Sequence, residues 1–147
     1  MRGNTKPAFL VLVLLTVSIA STAGHYVDNS VNIDKYPSSD VATAGVVAAT
    51  WLILTPVGIL GYRLYTSGRL FGAYAMLAVF SLVGLSTPGH YTSASLADFA
   101  LWRNISILLD AITGAAVLAF VLWSALIARE WSRPASNVGH DAAPGAV

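Results

Sequence analysis

Residues 105–128 read ISILLDAITGAAVLAFVLWSALIA, a run holding one charged side chain, Asp110, and bounded by Asn104 and Arg129. An α-helix rises about 1.5 Å per residue, so about 20 residues cross the hydrocarbon of a bilayer. The run is continuous rather than alternating, which excludes a strand of a membrane barrel. It reads as a membrane-spanning helix. Working outward, three similar runs precede it: residues 7–24 between Lys6 and His25, 41–62 between Asp40 and Arg63, and 70–89 between Arg69 and His90. The predicted fold is therefore an all-α integral membrane protein with four transmembrane helices over residues 1–133. Residues 134–147, rich in small residues, have nothing to build a core and predict a disordered tail.

Composition agrees. The chain has 147 residues, 8 Lys and Arg, 7 Asp and Glu, and 56% hydrophobic residues. Charged residues make up 10%, against about 25% in soluble domains. There is no cysteine, so disulfides, thiolate metal sites, iron–sulfur clusters and thiol catalysis are excluded. A net charge of +1 gives no reason to expect a nucleic-acid partner.

Lys and Arg near span ends predict direction. Arg2, Lys6, Arg63, Arg69, Arg129 and Arg133 flank one side, and Lys35 and Arg103 the other. Both termini are then cytoplasmic and the loops 25–40 and 90–104 outside, in a bacterial plasma (inner) membrane. Arg2, Lys6, the run 8–20 and Ser21-Thr22-Ala23 also resemble a secretory signal peptide. An internal repeat argues that the segment is retained.

That repeat pairs Ser21-Thr22-Ala23-Gly24-His25-Tyr26 with Ser86-Thr87-Pro88-Gly89-His90-Tyr91, five of six residues identical. Each copy ends an outward-running span, is followed by a polar loop, and leads to an inward-running span. The chain reads as a tandem duplication of one helical hairpin, with repeats at about 7–65 and 70–130. Two such copies are parallel, related by an axis along the membrane normal.

Under that symmetry His25 and His90 reach the same depth at the outer face. Two imidazoles there are candidate ligands for a metal, copper being one choice, or axial ligands for haem. Each needs its second ring nitrogen held by an acceptor. Asp28, Asp34, Asp98 and Asp110 are candidates, with Tyr26 and Tyr91 as hydroxyl partners. The simpler alternative is anchoring at a helix end, with glycine as C-cap and two amphipathic side chains at the interface.

Asp110 lies five residues into the fourth span. A carboxyl at that depth is costly unless paired or neutral, so it should face the bundle. Helical spacing puts Arg103, Ser106, Asp110, Thr113 and Gly114 on one face. This stripe reads as a proton or cation site, or as support for a histidine-bound metal. The alternative is a structural hydrogen bond, with Asp110 protonated or paired to Arg103.

The remaining features read structurally. Asp28, Asn32 and Asp34 do not match a calcium loop. Asp40 or Ser39 predicts the N-cap of the second helix. Gly68/Gly72, Gly45/Ala49 and Ala111/Ala115 predict close helix contacts, and Pro56 a kink where Thr50 and Thr55 bond locally. Asn104-Ile105-Ser106 matches a glycosylation sequon at the membrane edge. No phosphate loop, nucleophile elbow or acid pair is present, so no motif argues for an enzyme.

The pairs His25-Tyr26 and His90-Tyr91-Thr92 are similar to the Met-His-Tyr-Thr motif of MHYT sensor domains, which implies copper binding. The methionine is missing and the span count differs, so no family is assigned. Three functions are open: a metal- or haem-binding membrane module at His25 and His90, a non-catalytic accessory subunit of a larger membrane complex, and proton- or ion-coupled transport by a homo-oligomer using Asp110.

Overall fold

The computed structural model describes residues 5–36 and 43–132, and among these every regular element is helical. The four main helices are α1 (Thr5–Val31), α2 (Ala44–Thr66), α3 (Leu70–Ser86) and α4 (Leu101–Leu122). With their extensions, four stretches are long and apolar enough to cross a membrane: Lys6–Val31, Ala44–Thr66, Leu70–Thr92 and Leu101–Ser132. α1 packs against α2 and α4, and α3 packs against the same two helices.

The side of each helix that is buried follows from residue size and polarity. On α1 the enclosed positions are Pro7, Val11, Leu15, Ser18, Thr22, His25, Asp28 and Asn29. Their spacing of three and four is a single helical stripe. Its first half is apolar and joins Leu77, Phe80, Val117, Phe120 and Val121 in the main core. Its second half is polar and faces the stripe of Arg103, Ser106 and Asp110 on α4. The bundle thus has an apolar half and a polar half, and the polar half carries both histidine segments.

Close packing of α3 on α4 depends on glycine. A Cβ on Gly84 would come within 2.5 Å of the Asp110 carbonyl oxygen, and one on Gly114 within 2.9 Å of the Ser81 carbonyl oxygen. Small residues at such crossings let two backbones touch. Of the glycines expected to make such contacts, Gly72 on α3 does, a Cβ there lying 3.3 Å from the Leu64 side chain of α2, whereas Gly68 is the turn between α2 and α3 with φ +77° and Gly45 meets little beyond the Thr43 side chain. Gly58 and Gly61 instead admit the side chains of Phe80, Leu15 and Leu77 against α2.

Local expectations fare unevenly. The N-cap of α2 is Thr43, whose hydroxyl accepts from the Val46 N–H at 3.3 Å. Asp40 and Ser39 lie outside the described residues, as does the segment 134–147. Helix α2 continues through Pro56. Thr50 donates to the Val46 carbonyl, whereas the Thr55 hydroxyl has no partner among the described residues.

At the end of the bundle away from the histidines, α4 passes through a π-turn, Trp123–Ile127, into a short 3-10 turn, Glu130–Ser132. Arg129, at φ 46°, reverses the chain. Glu130 then accepts hydrogen bonds from Tyr65 and Ser124, both at 2.5 Å, and Ser124 also meets the Tyr74 hydroxyl at 2.8 Å.

Candidate functional site

The polar half of α1 and α4 is built as a ladder. The helices run in opposite directions, and their polar residues meet in steps: Asp28 with Arg103, His25 with Ser106, and Ser21 opposite Asp110. Arg103 Nε donates to Asp28 Oδ2 at 3.1 Å, and both side chains are largely enclosed. Nδ1 of His25 lies 3.0 Å from the Ser106 hydroxyl. These contacts explain why α1 does not stop at Gly24. It continues to Val31 because Asp28 and Asn29 are satisfied inside the bundle, so Gly24 is an interior helical residue and not a C-cap.

The second histidine arrives differently. His90 lies in the 3-10 turn Thr87–Thr92 that succeeds α3. Thr87 ties this turn to both neighbours, its hydroxyl reaching the carbonyls of Gly84 at 2.7 Å and Ile107 at 3.0 Å. The ring of His90 then stands 5.5 Å from that of His25, centroid to centroid. Its Nε2 is 3.3 Å from Asn29 Nδ2.

Tyr36 closes the cluster. Its ring lies 5.0 Å from His90, 5.9 Å from His25 and 5.8 Å from Phe99, and it is 3% exposed. Its hydroxyl donates to Asp28 Oδ2 at 2.5 Å. Burial, and then this bond to a carboxylate, pushes the phenol above its ordinary pKa, so Tyr36 stays a neutral donor. The Arg103 guanidinium lies 5.6 Å from the Tyr36 ring centre and 4.8 Å from that of Trp102.

The predicted residues divide accordingly. His25, His90, Asp28, Arg103 and Ser106 are brought together. Tyr26 packs edge-on against His25 at 5.7 Å. Tyr91 turns aside, its hydroxyl donating to Asn104 Oδ1 at 2.8 Å. Thr113 bonds to the Asp110 carbonyl on its own helix at 3.1 Å. Asp110 is completely buried, yet neither carboxyl oxygen has a hydrogen-bond partner among the described residues.

Three expectations are corrected. The histidine nitrogens are held by Ser106 and Asn29, not by a carboxylate, because the Asp28 oxygens are taken by Tyr36, Asn32 and Arg103. Arg103 pairs with Asp28 rather than Asp110. Asp34 forms an exposed pair with Lys35, and Asp98 caps its own turn through Ser95, whose N–H and hydroxyl hold that carboxyl below its usual range. The sequon residue Asn104 is also engaged, donating to the carbonyls of Leu96 and Phe99.

Sequence reasoning misses Tyr36, Asn29, Ser18 and Thr22. For three of them the signal is present: 18, 22, 25 and 29 share the α-helical spacing of His25, and extending α1 beyond residue 24 exposes it. Nothing short of the folded loop brings Tyr36 to the histidines.

No known protein family, curated protein or solved structure matches the chain. What the cluster can do chemically therefore rests on its donors. Among the described residues no three His, Cys, Asp or Glu side chains converge as a metal site. The available donors are two imidazoles, each with one ring nitrogen held by a neighbour. Two nitrogen donors could serve only an ion content with few protein ligands, and copper is among the metals that imidazole suits. Zinc, which takes four ligands, is poorly matched. Haem would need the two rings on opposite sides of its plane, whereas their centroids lie 5.5 Å apart with both rings against Tyr36.

Proposed function

We propose that the chain is a multi-pass protein of a bacterial plasma membrane that captures a copper ion at its outer face between His25 and His90. The observation that carries this reading is the meeting of two imidazoles from separate helical segments, with Ser106 and Asn29 each engaging one ring nitrogen. The Ser106 hydroxyl can accept the Nδ1–H of His25 and leave Nε2 for the ion, as neighbours do at metal sites, whereas His90 would offer the ion the same Nε2 to which the Asn29 amide donates. The cluster is otherwise enclosed by Tyr36 and Phe99, an apolar setting that favours a soft ion over a strongly hydrated one.

The same reading takes both termini as cytoplasmic and the two hairpins as descendants of one duplicated unit. The distribution of Lys and Arg and the repeated Gly-His-Tyr triplets support it. It assigns no enzymatic step. The protein binds, and the bound ion is its cargo or its signal.

Anaerobic titration of the purified protein with Cu(I) against a colorimetric chelator tests the site. One equivalent is expected to bind. Both His25→Ala and His90→Ala should abolish binding, and Ser106→Ala should weaken it about tenfold to a hundredfold. Failure of the wild type to compete for copper, or retention of binding in both histidine variants, overturns the reading.

A further inference from the structure

Asp110 is the ionisable side chain that the histidine cluster leaves without a partner. It is completely buried, and no polar atom among the described residues completes a hydrogen bond to Oδ1 or Oδ2. Two hydroxyls on the facing helix share this state: Ser21 Oγ, which faces the carboxyl, and the deeply buried Ser18 Oγ one turn further in. Four of the buried oxygens left unsatisfied among the described residues thus belong to one stretch of the α1–α4 interface.

The groups around Asp110 offer no positive charge. From α1 the titratable neighbour is Tyr26. From α3 the contact is the backbone at Gly84, and Ser81 spends its hydroxyl on the Leu77 carbonyl. On α4 itself Arg103 is held by Asp28. His25 is held by Ser106 one turn outward, with His90 beside it. α2 packs on α1 and α3. An ionised carboxylate enclosed this way has nothing to offset its lost hydration, whereas a carboxylic acid has an O–H to give to a hydroxyl oxygen such as that of Ser21.

We propose that Asp110 is a proton-loading site, holding one exchangeable proton inside the bundle and taking it up from the histidine end. Uptake adds one proton to a carboxylate oxygen and release removes it; no other bond changes. The direction comes from the packing: Leu15, Leu77, Phe80 and Val117 close the way toward the opposite end, while Ser106 and His25 line the way toward the histidines. A proton rather than a metal is assigned because one carboxylate and scattered hydroxyls make no complete coordination shell. Copper at His25 and His90 is not required, so the two ideas fail separately.

Infrared spectroscopy of the full-length protein in lipid reads the proton directly. At neutral pH the wild type should show the C=O stretch of a protonated carboxylic acid, and Asp110→Asn should lose it. Should the Asn variant fail to fold, Asp110→Glu serves instead, by moving the band. Dicyclohexylcarbodiimide gives a second readout. It adds to protonated carboxyls in apolar surroundings, leaving an N-acylurea adduct that mass spectrometry should place on Asp110. Transfer into D2O should shift the band, and Ser106→Val should slow that shift at least tenfold. A wild type without the band, a band unchanged in Asp110→Asn and Asp110→Glu, or exchange unaffected by Ser106→Val overturns the assignment.

Discussion

The triplets Gly24-His25-Tyr26 and Gly89-His90-Tyr91 are identical in residue type and different in structure. The first is the middle of a helix that runs on to Val31; the second is a 3-10 turn. His25 is 1% exposed and bonded across to α4, whereas His90 is partly open and held from α1. Tyr26 leans on His25, and Tyr91 reaches Asn104. Two things make the difference, the first being Pro88, which stands where the first copy has Ala23 and has no N–H to continue α3, so the chain passes into the 3-10 turn. The second is the residues on the C-terminal side of each triplet. Beyond the first copy, Asp28 and Asn29 find partners inside the bundle and the helix continues. Beyond the second, Thr92 and Ser93 offer nothing comparable, and the chain turns. One proline before the triplet and the partners beyond it together set two conformations for the same three residues.

The contrast breaks most severely at Asp28. Asp28→Ala strands Arg103 and frees the Tyr36 hydroxyl, while nothing equivalent supports the second triplet. We expect a loss of about 3 kcal/mol, the lower end for a buried pair losing one partner, because Arg103 keeps 14% exposure. Denaturant unfolding in mild detergent measures it; a loss below about 1 kcal/mol would show that the ion pair is not what carries α1 past Gly24.

A smaller effect separates the tyrosines that close each side. Tyr36→Phe removes a buried donor to a carboxylate and should cost about 1–3 kcal/mol, whereas Tyr91→Phe removes a neutral bond and should cost about 0.5–1.5 kcal/mol. Equal losses in the same unfolding assay would mean that the two copies are supported alike.

The smallest effect has the opposite sign. Nothing lies within 4 Å of a Cβ built on Gly24 or Gly89. Gly24→Ala should therefore stabilise the α-helix by about 0.5–1 kcal/mol. Gly89→Ala, in a short 3-10 turn, should gain less. A larger gain at Gly89 would indicate that its backbone is the more regular helix of the two.

Much of this molecule is legible in its residues. Uncharged runs locate all four long helices, because lipid imposes length and polarity limits that composition records directly. The repeat points to His25 and His90, and the spacing on α4 selects Ser106 and Asp110. Three kinds of feature escape. Polarity alone ends α1 at Gly24, whereas Asp28 and Asn29 face partners and not solvent, so the helix is longer than its apolar run. Regular spacing of small residues within one helix does not find Gly84 and Gly114, which matter as a pair across two helices. Tyr36 belongs to a third kind, a side chain delivered by a loop whose path no periodicity describes.

The Gly84–Gly114 contact also limits how this bundle can move. Sliding α4 along α3 by a single residue, about 1.5 Å, would swap a bare backbone for a methyl or larger group at a place with no clearance. The second hairpin is pinned like two boards by a dowel, and the height of the Asp110 carbonyl is fixed by it. Freedom of relative movement in the bundle is left to α1, whose polar contacts with α4 are made by side chains rather than by touching backbones.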